Sequence, residues 1–288
     1  MLKENLLNDI GFTDEMKKNY DVLYAAIGEG TEKIAEAYMA EKITICEALD
    51  AVRKLDPTVN EYSADLMLVL LCTDFLFEKY KENNVPYECF ESTAKNIKIK
   101  VDECEKFKGV FGTFVAEYMD PYFRLTRIGF GRLMFDIVPA SEEDIAVGDI
   151  TLPMGSFMAR CHIPSGSPLR REDCIKSYKA VYNYCKPHLK NGILPVVCSS
   201  WLLHPAIKDL YGEGSNTHRF ISDFKLYWWI DTDTFSNAWR VFNMDDTGNP
   251  DDFPRETRLQ RNIVDYLKSG KKLGKGKGIF LFDGENVL

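Results

Sequence analysis

None of the eight cysteines, at positions 46, 72, 89, 104, 161, 174, 185 and 198, forms a CxxC pair, and the four histidines give no HxxxH pair. Those absences weigh against a zinc ribbon or a dithiol redox site, so no metal is expected. No basic segment leads into an apolar one at the N-terminus, and free, mostly buried thiols in a reducing cytoplasmic compartment are therefore expected. Neither a Walker A sequence nor GxGxxG occurs, which removes the two commonest glycine-rich phosphate cradles. The longest apolar run, Leu66 to Cys72, is far shorter than the roughly 20 residues of a membrane-spanning helix, and no membrane partner is expected. No long-period repeat is visible.

What is present is a globular composition of 45% hydrophobic, 28% charged and 12% aromatic residues. At about 150 residues per domain, 288 residues make one large or two ordinary domains. Charge divides unevenly. Residues 1–120 carry 14 Lys/Arg against 24 Asp/Glu, and residues 121–288 carry 22 against 20. An acidic chain is a poor nucleic-acid binder, because that affinity comes mainly from neutralised phosphates. The near-neutral second part remains able to hold a small phosphorylated ligand.

Periodicity divides the chain at the same place, with a boundary at Asp120-Pro121. Helices are expected from Thr13 as N-cap, from Tyr62 to about Asn83, where apolar residues run round most of the circumference, and from Tyr87 to Phe107. Beyond residue 120, Arg124 to Val138 reads as one bent strand, and a hairpin is expected about Pro153-Met-Gly155. Arg171 to Cys185 reads as a helix, Leu194 to Cys198 as a buried strand, and Trp201 to Tyr211 as helical. Phe224 to Ile230 and Ala238 to Met244 read as strands, Arg255 to Lys268 as a helix and Gly278 to Phe282 as a last strand. Gly274-Lys-Gly-Lys-Gly278 reads as a mobile surface loop, and Asp231-Thr-Asp233 as a solvated strand end. The fold class is α+β, an all-helical domain over 1–120 followed by a mixed-sheet domain over 121–288.

Two stretches carry chemistry. In Arg160-Cys-His-Ile-Pro-Ser-Gly-Ser-Pro-Leu-Arg-Arg171, the amides of Ser165, Gly166 and Ser167 can face an anion at a helix entry, with Arg170 and Arg171 close by; a plain connecting turn is the other reading. Val197-Cys-Ser-Ser-Trp-Leu-Leu-His204, continuing to Tyr211, gathers Cys198, Ser199, Ser200 and His204 at a strand end, where open sheets place ligands. A Cys198 or Ser200 nucleophile with His204 as its base is one alternative; a buried thiol and a helix-capping serine is the other. The aromatics Tyr227, Trp228, Trp229 and Trp239 suit either an acyl pocket or core packing.

Arg124-Leu-Thr-Arg-Ile-Gly-Phe-Gly131, His162-Ile-Pro-Ser-Gly-Ser-Pro-Leu169, Cys198-Ser-Ser-Trp-Leu-Leu-His-Pro205 and Ser215-Asn216 with Arg219-Phe220 together resemble the bacterial two-domain acyltransferase family. The resemblance covers about residues 120 to 245. It implies a helical N-terminal domain joined to a GNAT-like mixed-sheet domain flanked by helices. It also implies acetyl-coenzyme A or another acyl-coenzyme A as co-substrate and a small-molecule amine as acceptor. By resemblance Ser165, Gly166, Ser167, Leu169, Arg170, Arg171 and Val197 hold the cofactor. Tyr211 is the acid toward the departing thiolate, His162 or His204 the base, and an amide near Cys198 or Ser199 the oxyanion donor. The loop departs from the family's glycine-rich pattern, since Gly166 is its only glycine. A catalytically silent ligand-binding or interaction protein on the same fold is the alternative.

Overall fold

The computed structural model describes residues 4–138, 141–189 and 191–288. They form two compact units, one running to Gly131 and including Pro164–Gly166, the other made of Arg132–Ile163 and Ser167–Leu288. No described helix is long and apolar enough to cross a membrane.

The first unit is helical: α1 (Glu4–Ile10), α2 (Asp14–Met39), α3 (Ile45–Val52), α4 (Glu61–Glu82), α5 (Tyr87–Lys108) and α6 (Asp120–Phe123), then one short strand, β1 (Arg127–Phe130). Its helix starts are written locally. Thr13 accepts a hydrogen bond from the Met16 amide, Thr44 and Glu47 form a reciprocal capping box, and Asn60 caps α4. Gly109, in the left-handed region, ends α5. Leu66 to Cys72 are all buried, so α4 is the central helix that its all-round apolar pattern predicts. The strand β1 lies on α5: the Gly129 amide donates to Thr93 Oγ1 at 2.8 Å, and a Cβ at Gly129 would stand 2.7 Å from the Thr93 nitrogen.

The second unit contains β2 (Leu133–Val138), β3 (Ile145–Val147), β4 (Ile150–Leu152), β5 (Met158–His162), β6 (Leu194–Ser200), β7 (Lys225–Asp231) and β8 (Gly274–Phe282). Within it the main sheet has the order β2-β5-β6-β8-β7. Only β5 and β6 are parallel; β2 with β5, β6 with β8 and β7 with β8 are antiparallel. The parallel pair is joined by the crossover that such pairs need, here through α7 (Arg171–Cys185). On one face Tyr178 of α7 meets Phe280 at a ring separation of 4.9 Å. On the other, Ile145, Ile150 and Leu152 of the separate β3–β4 hairpin pack on Met158, Val197 and Ile279. Short helices α8 (Pro205–Tyr211), α9 (Asn216–Ile221) and α10 (Ala238–Phe242), with α11 (Arg258–Lys268), complete the unit.

Four expectations change. Arg124 to Val138 is two strands, because the chain turns at Gly131, whose φ is +71°. The hairpin turns at Gly148, at φ +57°, and Pro153–Gly155 instead leads from β4 to β5. Ala238 to Phe242 is helical, since Ala238 and Phe242, four apart, are both buried and Asn243 closes the turn in the left-handed region. Finally, Gly274–Gly278 is half of β8. Added Cβ atoms at Gly274 and Gly276 would overlap the carbonyl oxygens of Ile230 and Leu203, so these glycines serve close packing. Seven of the eight thiols are buried and Cys46 is exposed.

Candidate functional site

The parallel pairing of β5 with β6 ends at Cys161 opposite Cys198. Beyond that pair, β6 continues along β8, with Ser199 opposite Lys277 and Ser200 opposite Gly276, while β5 stops at His162. Backbone groups along the edges where two strands part have lost their ladder partners. An extended ligand carrying its own amides can replace them.

Past β5 the chain enters α7, a helix of 15 residues that has no side-chain cap among the described residues. Leu169 is buried, whereas Ser167 and Arg170 are exposed. Among the described residues the Leu169, Arg170 and Arg171 amides have no acceptor, which leaves them, with the helix dipole, as an anion-attracting end. Arg171 is already engaged. It donates to both oxygens of the buried Asp223 at 2.5 Å, and Tyr178 donates to the same carboxylate at 3.1 Å. Ser165 and Gly166 group with the first unit, where Gly166, at φ +95°, stands beside Ile99.

On the sheet face that carries the hairpin, a cavity of about 240 Å³ is lined by Arg160, Val197, Cys198, Ser199, Tyr227 and Lys277, with segment 141–143 at its rim. Its charges are matched locally: Lys277 donates to Glu143 at 2.7 Å, and Arg160 lies 3.4 Å from Glu142 and 3.8 Å from Asp136. Asp136 in turn approaches His162 Nε2 at 2.9 Å. The β2–β5 register explains this, because Asp136 stands opposite Arg160 and Met134 opposite His162, so all the polar members fall on one face. Sequence reasoning missed Asp136. Its signal was a lone acid inside the apolar run Leu-Met-Phe-Asp-Ile-Val.

The candidate nucleophiles are poorly placed for covalent work. Cys198 is buried, and burial, followed by a hydrogen bond to Cys198, holds the adjoining Cys161 thiol well above its ordinary range. Ser200 accepts from the Leu202 amide at 3.2 Å and caps the single turn Trp201–Leu203. His204 is 3% exposed, with Nε2 at 2.7 Å from Asp231 and Nδ1 buried without a partner among the described residues. Asp231 is thus tied to a histidine at the end of β7. Tyr211, at the end of α8, lies 6.5 Å from Trp201 ring to ring, and burial pushes its phenol up to about 12. Neither His204 nor Tyr211 lines the cavity that holds Val197, Cys198 and Ser199. No group of three or more His, Cys, Asp or Glu side chains could hold a metal ion among the described residues.

The chain thus joins a helical unit to a mixed sheet whose central parallel strands part near the start of α7. The chain belongs to the GNAT-like C-terminal domain family, whose model matches residues 125–280. An acyltransferase solved in complex with decanoyl-CoA and teicoplanin shares the fold at a TM-score of 0.68 and 17% identity, over 96% of this chain and 86% of that one. Another acyltransferase structure with decanoyl-CoA aligns at a TM-score of 0.61 and 14% identity, over 97% of this chain and 99% of that one. A mutant acyltransferase with octanoyl-CoA gives a TM-score of 0.68 and 16% identity, over 96% and 86%. No curated protein matches the chain in sequence.

Proposed function

We propose that the protein is an N-acyltransferase that moves the acyl group of acetyl-CoA or a longer acyl-CoA to the amine of a small molecule. The observation that carries this reading is the parting of β5 and β6 after Cys161 and Cys198, beside the uncapped start of α7. The pantetheine arm is long, narrow and amide-bearing, which suits the edge of β6 that has no β5 neighbour beyond Cys198, at Ser199 and Ser200. The pyrophosphate is a compact anion, which suits the amides of Ser167 and Leu169 to Arg171 and the exposed Arg170. Similar structures that hold decanoyl-CoA, octanoyl-CoA and CoA support the assignment.

Transfer requires the amine nitrogen to attack the thioester carbonyl, forming C–N and breaking C–S; the ammonium nitrogen sheds two protons in all, one to the base and on to solvent before attack, the other from the tetrahedral intermediate, balancing the proton that reaches the thiolate. His162 takes the first proton, and Asp136 at 2.9 Å stabilises the resulting imidazolium. A backbone amide at Cys198 or Ser199 donates to the oxyanion. Tyr211, kept protonated by burial, is the acid that the family resemblance assigns to the thiolate, and the second proton shed by the nitrogen restores it. His204, held by Asp231, orients the segment that leads to Tyr211.

The test is thermal stabilisation by CoA, acetyl-CoA, octanoyl-CoA and decanoyl-CoA against ATP and NAD at equal concentration. A ligand at about 100 times its dissociation constant adds roughly 2.7 kcal/mol. A rise specific to the CoA series, followed by thiol release with an amine panel, is expected. No rise at millimolar ligand sinks the proposal, and binding without transfer to any amine leaves a silent binding protein.

A further inference from the structure

We infer that Arg132 is the positioning residue for the CoA pyrophosphate, acting through the loop before α7 and standing in for the glycines that this loop lacks. The inference rests on the CoA reading above and adds a residue that no motif in the loop contains. Arg132 follows the turn glycine Gly131 and opens the segment that becomes β2. Its Nη2 donates to the Ser167 carbonyl at 2.7 Å and its Nε to the Pro168 carbonyl at 3.2 Å.

The consequence follows from peptide geometry. In a trans peptide the carbonyl and the following N–H point in opposite directions, so fixing the Pro168 carbonyl on the guanidinium turns the Leu169 amide away from it. The two amides after it, those of Arg170 and Arg171, also have no acceptor among the described residues. Pro168 itself has no N–H and competes for nothing. A glycine-rich loop exposes successive amides through conformations that other residues avoid; here a cation grips the carbonyls instead.

The grip is braced. The Arg132 and Leu133 amides donate to Ser177 Oγ at 3.1 and 3.3 Å, and Ser177 Oγ donates to the Asp173 carbonyl at 3.0 Å. Arg132 is therefore anchored to the first two turns of the helix whose amides it helps present. Its guanidinium also adds fixed positive charge behind the loop.

The experiment compares wild type, Arg132→Gln and Arg132→Lys by titration with CoA and by turnover with acyl-CoA and acyl-pantetheine, which lacks the pyrophosphate. Arg132→Gln is expected to weaken CoA binding about tenfold or more, the scale of one charge-assisted hydrogen bond. Its loss of kcat/KM should be at least about tenfold greater with acyl-CoA than with acyl-pantetheine, mainly through KM. Arg132→Lys, which keeps the charge but cannot reach both carbonyls at once, should fall between, and it carries the test if Arg132→Gln does not fold. Wild type that binds CoA, with variants that lose both donors equally or neither, overturns the inference and leaves the CoA reading standing. Wild type that does not bind CoA removes the reading itself.

Discussion

Asp136 interrupts an otherwise apolar strand, and burial of an acid at such a position is costly unless a partner meets it. His162 is that partner, at 2.9 Å. Asp136→Asn should lower transfer by about 10²-fold while CoA affinity stays within twofold, since a positioned base contributes on this scale; single-turnover rates and CoA titration check it. Arg171 and Asp223 answer a different question, one of stability. Burial raises the Asp223 carboxyl above its ordinary range, and the hydrogen bond and charge of Arg171 oppose that. Arg171→Ala leaves burial opposed only by Tyr178, so the folded-state value climbs further. Below the unfolded value of about 4, both states hold the proton and the variant's deficit is small. Between the wild type's folded value and the variant's higher one, only the variant's folded state keeps that proton, so the deficit widens, and above both values it levels off at about 1–2 kcal/mol, less than for a fully buried pair because the Arg171 side chain is 40% exposed. Urea unfolding from pH 4 to 8 tests the sign. Tyr211 and His204 were legible as isolated polar residues. Their partners were not, because Asp231 lies 27 positions beyond His204 and only strand pairing brings it to 2.7 Å.

Among the elements, β8 shows how a local reading fails. Lys-Gly-Lys-Gly has the composition of a flexible loop, yet it pairs with β6 on one side and β7 on the other. Its alternate glycines let Leu203 and Ile230 pass against the strand. Gly276→Ala is expected to destabilise the fold by about 1–3 kcal/mol, because the new methyl must displace a backbone carbonyl rather than a mobile side chain; chemical unfolding measures this. Helices α2, α4, α5, α7 and α11 were readable because caps and a 3.6-residue period act within a few turns. Helix α10, with five residues, is too short to show that period, and its Val-Phe sequence suits a strand equally well.

At the scale of the whole chain, the divide near residue 120 appears in charge and periodicity, yet the first compact unit extends to Gly131 and takes up β1. The reason is a buried bond: Thr93 Oγ1 accepts from the Gly129 amide and lies 2.9 Å from the Tyr80 hydroxyl. Thr93→Val strands that amide in the interior and should lower the stability of the helical unit by about 1–3 kcal/mol, observed as an earlier unfolding transition. The longer helices, the acidic character of the first part and the loop between β5 and α7 were determined by sequence alone, since they depend on neighbours within a few residues. The parting of β5 from β6, the meeting of Asp136 with His162 and the grip of Arg132 on the loop were decided only by the tertiary structure. Each joins residues 26 to 37 positions apart through strand register or crossover, and no local pattern encodes such a distance.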